Sequence, residues 1–334
     1  MKHNVKITII LLTMFIVTQF IGLAVLHADI FYIEQEINGT LQQVSNPQLS
    51  WIQPPEVETS EDSFSIFSSL LIAFIIAIVL LFLLTKFKIS FVLKAWFFVV
   101  VCIALFLTIY AFEVLVPFPI DPTLALIIPI VIALPLAFIK IFKRNFLIHN
   151  FTELLIYPGI ATVFVPILIW KTAPYLFLKP LFIIILLILI SIYDIWAVWH
   201  SGFMQKMAKY QINNLKVFSG FFVPYVSKKM RLKLKKMRSL AKKTKSKLKD
   251  KKIRVNIAIL GGGDIIFPII TAGVMLRTFG LASALFVIAG ATIGLSYLFF
   301  FAEKKKFYPA MPFITAGIFT GMILSYILKH FSVI

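Results

Sequence analysis

The chain has few charged residues and only one cysteine. Charged residues make up 14% of its 334 residues, whereas about a quarter is usual in soluble domains. Cys102 cannot form an intramolecular disulfide or a Cys-x-x-Cys metal site by itself. Hydrophobic residues make up 60% of the chain, and they occur in runs of about 20 residues, enough to cross a bilayer. The composition therefore predicts an integral, multi-pass membrane protein.

The net charge of +19 is concentrated in one loop. Between Lys206 and Arg254, 15 Lys and 3 Arg stand against one acid. No folded nucleic-acid-binding module accompanies this charge, so nucleic acid is not an expected partner. We interpret residues 203–254 as a solvated cytoplasmic tether; the alternative is an interfacial helix that binds anionic lipids of the bilayer.

Nine hydrophobic spans predict an all-α fold with nine transmembrane helices. The spans are 6–27, 65–85, 89–112, 123–143, 151–170, 179–202, 255–276, 280–301 and 310–330. The first has the basic start of a signal peptide, but its apolar run is long and Leu26 stands where a small residue is wanted before a cleavage site. We predict a retained helix; cleavage would leave eight spans. The chain has no apparent internal repeat, which argues against transporters with duplicated halves.

The basic residues of alternate loops predict the orientation. One set of loops includes the basic loop 203–254, whereas the other includes segment 29–64, which has seven acids and no Lys or Arg. The positive-inside rule therefore predicts a cytoplasmic N-terminus and an external C-terminus. The external sequon at Asn38 is a candidate for glycosylation. A second sequon, at Asn150, falls on the cytoplasmic face and is interpreted as chance.

Of fourteen acids, only Asp194 and Asp264 lie well inside a span. Glu153 lies near the start of span five and is expected to reach the interface. Because an ionisable group is costly in the bilayer interior, a buried acid is a functional hypothesis. Asp194 lies about eight residues, or roughly 12 Å, from the cytoplasmic end of span six, and Asp264 about nine residues, or roughly 13 Å, from the start of span seven. We expect the two carboxyl groups to meet at one depth.

Two facing carboxyl groups fit peptide hydrolysis by water. One keeps a proton because two adjacent charges are costly. The ionised group can then deprotonate water while its partner donates to the scissile carbonyl oxygen. No His-Glu-x-x-His or Gly-x-Ser-Gly motif occurs, and neither a metal nor a cofactor is predicted. The alternative is a cation- or proton-coupled transporter that uses the same pair.

Small and aromatic residues flank the two acids. Gly261, Gly262 and Gly263 remove side chains before Asp264, which would admit water and an extended peptide. The hydroxyl of Tyr193 could hydrogen-bond near the pair. The alternatives are a helix-packing notch for the glycines and an interior aromatic without a special role for Tyr193.

The ninth span opens with Pro309-Ala310-Met311-Pro312. Two prolines prevent a regular helix start and leave backbone groups unpaired. Such backbone is tolerated at membrane depth only against protein or a water cavity. We therefore expect an extended stretch that could pair with a substrate strand; the simpler alternative is an ordinary helix entry.

Tyr193-Asp194, the Gly261–Asp264 motif and Pro309–Pro312 together resemble the presenilin and signal peptide peptidase family. The family signatures are YD in the sixth span, GxGD in the seventh and PAL in the ninth, and here all three occur in order over about 179–330. The resemblance implies an intramembrane aspartyl protease of transmembrane substrates, with Asp194 and Asp264 catalytic and Pro309–Pro312 shaping the active site. Met311 stands where the family usually has Leu.

The resemblance also bears on organisation and location. Residues 1–178 would form an N-terminal bundle of five spans with the acidic loop 29–64, and residues 179–334 a catalytic domain of four spans with the basic loop. The N-inside orientation looks like presenilin and opposite to signal peptide peptidase. The small size and lysine-dense loop look like microbial members, which implies the cell membrane of a microbe and no obligatory partner subunit.

Overall fold

A computed structural model describes nine segments of the chain. They are residues 5–37, 40–55, 57–87, 90–116, 121–143, 145–199, 219–225, 256–301 and 308–331. The Asn38 sequon lies outside the described residues, as does the predicted basic loop apart from 219–225.

The described residues form helices and two antiparallel pairs of short strands, each pair being called a hairpin. The helices are α1 (Val5–His27), α2 (Ser60–Lys86), α3 (Ser90–Val114), α4 (Pro122–Phe142), α5 (Phe146–Ile167), α6 (Leu181–Trp199), α7 (Gly262–Phe279), α8 (Leu281–Phe301) and α9 (Met311–His330). The antiparallel strands are β1 (Tyr32–Ile37) with β2 (Thr40–Ser45), and β3 (Gly220–Tyr225) with β4 (Asn256–Gly261).

The predicted membrane fold is confirmed. Within the described segments, nine helices are long and apolar enough to cross a bilayer. Each overlaps one predicted span, because a helix satisfies its own backbone hydrogen bonds and so allows an uninterrupted apolar run to cross the bilayer. The orientation of the bundle and the division at residue 178 stay predictions.

The start of span seven was predicted wrongly. Residues 256–261 form strand β4 rather than the first turns of a helix, and α7 begins at Gly262. A short apolar run does not distinguish a buried strand from a helix by hydrophobicity alone. The deciding contact is the pairing of β4 with β3, which lies more than 30 residues earlier in the chain.

Helices α1, α5 and α7 pack together in the core of the bundle. Gln19 of α1 is fully buried, and its Nε2 donates to the carbonyl oxygen of Ile265 in the first turn of α7, at 3.1 Å. One apolar cluster contains residues of α1 and α5 together with residues of α6 to α9. The helix that carries Asp264 is therefore held on one side by the N-terminal part of the chain.

Candidate active site

Asp194 lies near the end of α6 and is 7% exposed. Its Oδ2 accepts a hydrogen bond from the backbone N–H of Met311, the first residue of α9, at 3.0 Å. The first N–H groups of a helix have no partner within the helix, so they are available to an anion. The structure thus brings Asp194 together with the predicted Pro309–Pro312 segment.

The Pro309–Pro312 segment does not form the extended stretch that was predicted. Ala310 has helical backbone angles (φ −87°, ψ −35°), and α9 begins at Met311. Pro312 falls in the first turn of α9, where its missing N–H costs no helical hydrogen bond. The free N–H of Met311 is used by Asp194 and is not offered to a substrate strand.

Asp264 is the third residue of α7 and is half-buried. Its carboxyl group folds back toward the preceding strand. The closeness is seen at Gly261, where an added Cβ would lie 3.3 Å from Oδ2 of Asp264. The carboxyl groups of Asp264 and Asp194 are within range of a direct electrostatic interaction. The two acids therefore lie at the same end of the bundle, although the depth of Asp264 was estimated from a helix that begins later than predicted.

The three glycines before Asp264 differ in what surrounds them. A Cβ at Gly262 would lie 2.5 Å from Ser219 Oγ and 2.8 Å from Tyr157 Oη, both closer than ordinary contact. Gly263 is exposed, and the nearest atom to an added Cβ is Phe267 Cε2 at 3.8 Å. The prediction that glycines clear space beside Asp264 fits Gly263, whereas Gly262 is required for packing.

Side chains of α5 bind the backbone of β3. Asn150 Nδ2 donates to the carbonyl oxygen of Phe222 at 2.8 Å, and the N–H of Phe222 donates to Asn150 Oδ1 at 2.9 Å. His149 Nε2 lies 2.9 Å from the carbonyl oxygen of Gly220. The hydroxyl groups of Tyr157 and Ser219 are 3.3 Å apart. These contacts attach the hairpin to α5.

Sequence reasoning did not find this group of residues. Asn150 was interpreted as part of a chance sequon, and the pairing of α5 with β3 was not predicted. These contacts require no particular side chain on β3, because the acceptor and the donor there are backbone atoms. The signal that was available is the Asn150–Glu153–Tyr157 spacing, which places polar residues on one face of an otherwise apolar helix.

Glu153 does not reach the interface as predicted. It is 1% exposed and forms an ion pair with Lys140 of α4, itself 4% exposed. Its Oε1 also lies 3.6 Å from His149 Nε2. Burial of the Glu153 carboxylate is possible because Lys140 comes from the adjacent helix and supplies the opposite charge.

Tyr193, the remaining predicted support residue, is half-buried, and its ring centroid lies 6.4 Å from that of Trp196. A hydrogen bond from its hydroxyl to the acidic pair stays a prediction. In the described part of the chain, no group of His, Cys, Asp and Glu residues is arranged to hold a metal ion.

Comparisons with known proteins identify the family and the fold of the chain. The family model described as signal-peptide peptidase, presenilin aspartyl protease matches residues 51–331. Two solved structures of a presenilin family intramembrane aspartate protease, in space groups C222 and P2, have similar folds. The first has a TM-score of 0.56 at 16% identity and covers 96% of this chain and 99% of its own. The second has a TM-score of 0.51 at 17% identity and covers 95% and 96%. No curated protein sequence matches the chain.

Proposed function

This chain belongs to the signal-peptide peptidase and presenilin family of aspartyl proteases, and from that premise we propose that Asp194 and Asp264 form its catalytic dyad. The family match covers most of the chain, including both acids, and makes it an intramembrane aspartyl endopeptidase. The observation that carries the dyad is that the two acids lie on α6 and α7, which contact each other, with their carboxyl groups close enough to interact electrostatically.

The dyad would activate water by sharing one proton. In the pair, one carboxyl group is ionised and the other is protonated, since two adjacent charges are costly away from bulk water. The ionised group removes a proton from water as the oxygen attacks the scissile carbonyl carbon. The protonated group donates to the carbonyl oxygen, which gives a tetrahedral diol. This intermediate collapses as the first group passes its proton to the amide nitrogen and the second takes a proton back from a hydroxyl group, so that the amine and the new carboxylic acid are released.

Both acids have neighbours that favour a negative charge. The N–H of Met311 donates to Asp194, and Asp264 lies in the first turn of α7, where the helix dipole is positive. In the proposed dyad these interactions favour one negative charge on the pair. The proton is shared by the pair, so neither residue needs a fixed role as acid or base.

The substrate is a transmembrane segment of another protein, and we propose that it enters the site in an extended conformation. A peptide bond inside a helix is shielded by the surrounding helical backbone, so local unwinding must precede attack. The unwound backbone then needs new hydrogen-bond partners at membrane depth. The hairpin of β3 and β4 leads directly into α7 and Asp264, and it can supply these partners by accepting another strand.

The decisive test compares the wild type with Asp194→Asn and Asp264→Asn after purification in detergent, with a single-span peptide as substrate. We expect each substitution to reduce the cleavage rate at least about 10³-fold, and H₂¹⁸O to label the new carboxyl terminus made by the wild type. Glu61→Gln, at an exposed acid in the first turn of α2, is the control and should cleave normally. Cleavage that survives in either Asn variant would refute the dyad.

The transporter alternative has a different outcome. It would be favoured if the wild type cleaved no peptide and carried an ion flux in proteoliposomes that both Asn variants lost. Family membership favours the protease.

We also propose the location and orientation that follow from the basic loop 203–254. The N-terminus and this loop face the cytoplasm, the protein lies in the cell membrane of a microbe, and no partner subunit is obligatory. The loop is a solvated tether; the alternative is that it contacts anionic lipids. Cysteines introduced into the loop of a Cys102→Ser protein should react with an impermeant thiol reagent only after the cells are opened.

A further inference from the structure

A cavity of about 380 Å³ lies at the end of the bundle that is farther from Asp264. Arg277, in the last turn of α7, lines this cavity, whereas Asp264 lies in the first turn of the same helix. Other walls come from the end of α1, the end of α5 and the hairpin of β1 and β2. Sites for small molecules typically have volumes of about 300–1,000 Å³, so the cavity is large enough for a ligand and is separate from the proposed dyad.

The walls of the cavity are partly apolar and partly charged. Leu26 of α1 and Val165 of α5 are buried apolar residues that line it. The charged residues that line it are Asp29, Lys171, Lys179 and Arg277. Three positive charges against one negative charge leave an excess of positive charge in the cavity. This combination suits an amphiphile that has an anionic headgroup and an apolar tail.

Contacts within the protein account for Arg277. Its Nη1 forms an ion pair with Asp29, and its Nη2 donates to the carbonyl oxygen of Leu26 at 2.6 Å. These contacts join the last turn of α7 to the end of α1, and they neutralise the acid that lines the cavity. The positive charge left for a ligand is therefore that of Lys171 and Lys179.

The two lysines are held at the same cavity by the loop between α5 and α6. The N–H of Trp170 donates to the carbonyl oxygen of Lys179 at 2.9 Å, which closes the loop. Lys171 Nζ donates to Tyr32 Oη at 3.3 Å and lies 5.7 Å from the centroid of that ring. An ammonium group has three N–H donors, so this contact leaves donors of Lys171 for a ligand.

Lys171 and Lys179 lack the compensation that Arg277 has. No side chain that the structure describes forms an ion pair with either lysine. Two like charges at one cavity repel each other, whereas an anion between them would be attracted by both. The arrangement therefore favours a bound anion at this place.

We propose that this cavity binds an anionic phospholipid, whose headgroup phosphate lies between Lys171 and Lys179 and whose apolar part lies along Leu26 and Val165. A phosphate accepts several charge-assisted hydrogen bonds, and basic pockets between transmembrane helices bind such headgroups. The cavity lies where α1, α5 and α7 end, which is the level of the headgroups in a bilayer. The site is distinct from the basic loop 203–254, because that loop follows α6, whereas the two lysines precede it.

The first experiment compares the wild type with a cavity variant, Lys171→Gln/Lys179→Gln, in detergent. The matched control is Lys94→Gln/Lys143→Gln, which removes the same charge in α3 and at the end of α4, outside the cavity. We measure the unfolding temperature at increasing concentrations of phosphatidylglycerol. A ligand that binds only the folded protein raises this temperature.

Phosphatidylglycerol should raise the unfolding temperature of the wild type and of the control. The cavity variant should need at least about tenfold more of this lipid for the same rise, as expected for the loss of hydrogen bonds to charged groups. Phosphatidylcholine with the same acyl chains, which carries no net charge, should give little rise in any of the three proteins. An equal rise in the wild type and in the cavity variant would overturn the proposal.

The protein without lipid and the protein with soluble phosphates give two further tests. Without lipid, the cavity variant should be at least as stable as the wild type, because two like charges have been removed. A less stable cavity variant would show that the lysines already have an acidic partner within the protein, which would overturn the proposal. The assignment to a lipid would be wrong if inorganic phosphate or glycerol phosphate raised the unfolding temperature as much as phosphatidylglycerol at the same concentration.

The second experiment locates the lipid, because a basic loop such as 203–254 can also attract anionic headgroups. Phosphatidylglycerol with a photoreactive acyl chain is cross-linked to the protein, and the modified peptides are identified by mass spectrometry. Modification should occur within 25–31 and 162–169 in the wild type and in Asp264→Asn, and should fall at least about tenfold in the cavity variant. Modification confined to the loop would overturn the site. The cleavage rate of Asp264→Asn tests the dyad alone, so the two proposals can fail separately.

Discussion

The carboxylate of Asp194 and the backbone N–H of Met311 join α6 to the start of α9 through a 3.0 Å hydrogen bond. Met311 is 4% exposed, so its N–H has little access to another partner. The bond gives Asp194 two roles: a reacting group of the proposed dyad, and the acceptor that satisfies the first turn of α9. Different substitutions of the same residue can separate these roles.

We predict that Asp194→Asn and Asp194→Leu are equally inactive but differ in stability. Asn retains an oxygen that can accept from Met311, whereas Leu leaves a buried N–H without a partner at a cost of about 1–3 kcal/mol. Thermal and denaturant unfolding in detergent should show that the wild type and Asp194→Asn are both more stable than Asp194→Leu. Equal stability of Asn and Leu would show that the Met311 hydrogen bond does not contribute to the fold.

The sequence was sufficient to predict the nine spans and the presence of two acids within them, because both features depend on local composition. Each of the nine apolar runs corresponds to a helix among the described residues. An acid within such a run is rare, so it indicates a functional residue. The backbone conformation of the residues that precede Asp264 could not be predicted in the same way. Whether residues 256–261 are helix or strand depends on pairing with β3, and no local pattern encodes that pairing.

Other parts of the site were missed for a related reason. Asn150 contacts backbone atoms, and the backbone offers the same groups whatever its sequence. Glu153 was expected at the interface because it lies near the start of span five, and its partner, Lys140, comes from another helix. The distinction between Gly262 and Gly263 likewise depends on Tyr157, whose approach no sequence spacing predicts.

We predict opposite behaviour for Gly262→Ala and Gly263→Ala. A methyl group at Gly262 would meet the buried Tyr157 and Ser219, and overpacking of this kind typically costs about 1–3 kcal/mol. Gly263 has open space around it, so Gly263→Ala should unfold at the wild-type temperature and yet cleave more slowly, because the methyl group occupies the space expected for water and substrate. Unfolding temperatures and cleavage rates of the two variants test both statements.

Each variant is the other's control, since the chemical change is identical at adjacent positions. If Gly263→Ala cleaves at the wild-type rate, the space beside Gly263 is not used by the substrate. If Gly262→Ala is as stable as the wild type, the contact of Gly262 with Tyr157 and Ser219 does not limit the position of the hairpin.

The buried ion pair of Lys140 and Glu153 gives a prediction about stability. Lys140→Met or Glu153→Gln alone leaves one unpaired buried charge, which typically costs about 3–5 kcal/mol. The double variant removes both charges and should be more stable than the sum of the single losses implies. Denaturant unfolding of the four proteins gives the coupling energy.

The matched control is the pair of Asp29 and Arg277, whose side chains are 27% and 30% exposed. Asp29→Asn should cost about 1 kcal/mol or less, as is usual for an ion pair in contact with solvent. Asn also tolerates the positive φ of 45° at this position.

Additive losses for Lys140 and Glu153 would mean that the two charges do not stabilise each other.

Close packing of α8 and α9 gives a prediction that connects the fold to the dyad. Glycines of the two helices lie against each other: a Cβ at Gly290 would overlap the carbonyl oxygen of Gly317, and the reverse is also true. Gly290→Val should force the helices apart, at a cost of about 1–3 kcal/mol. Because α9 begins at Met311, this displacement should also disturb Asp194 and lower the cleavage rate.

Ala289→Val, at the adjacent exposed position, adds a β-branched residue without this overlap and should retain both stability and cleavage. A Gly290→Val protein that is destabilised but cleaves at the wild-type rate per folded molecule would show that the position of α9 does not control the dyad.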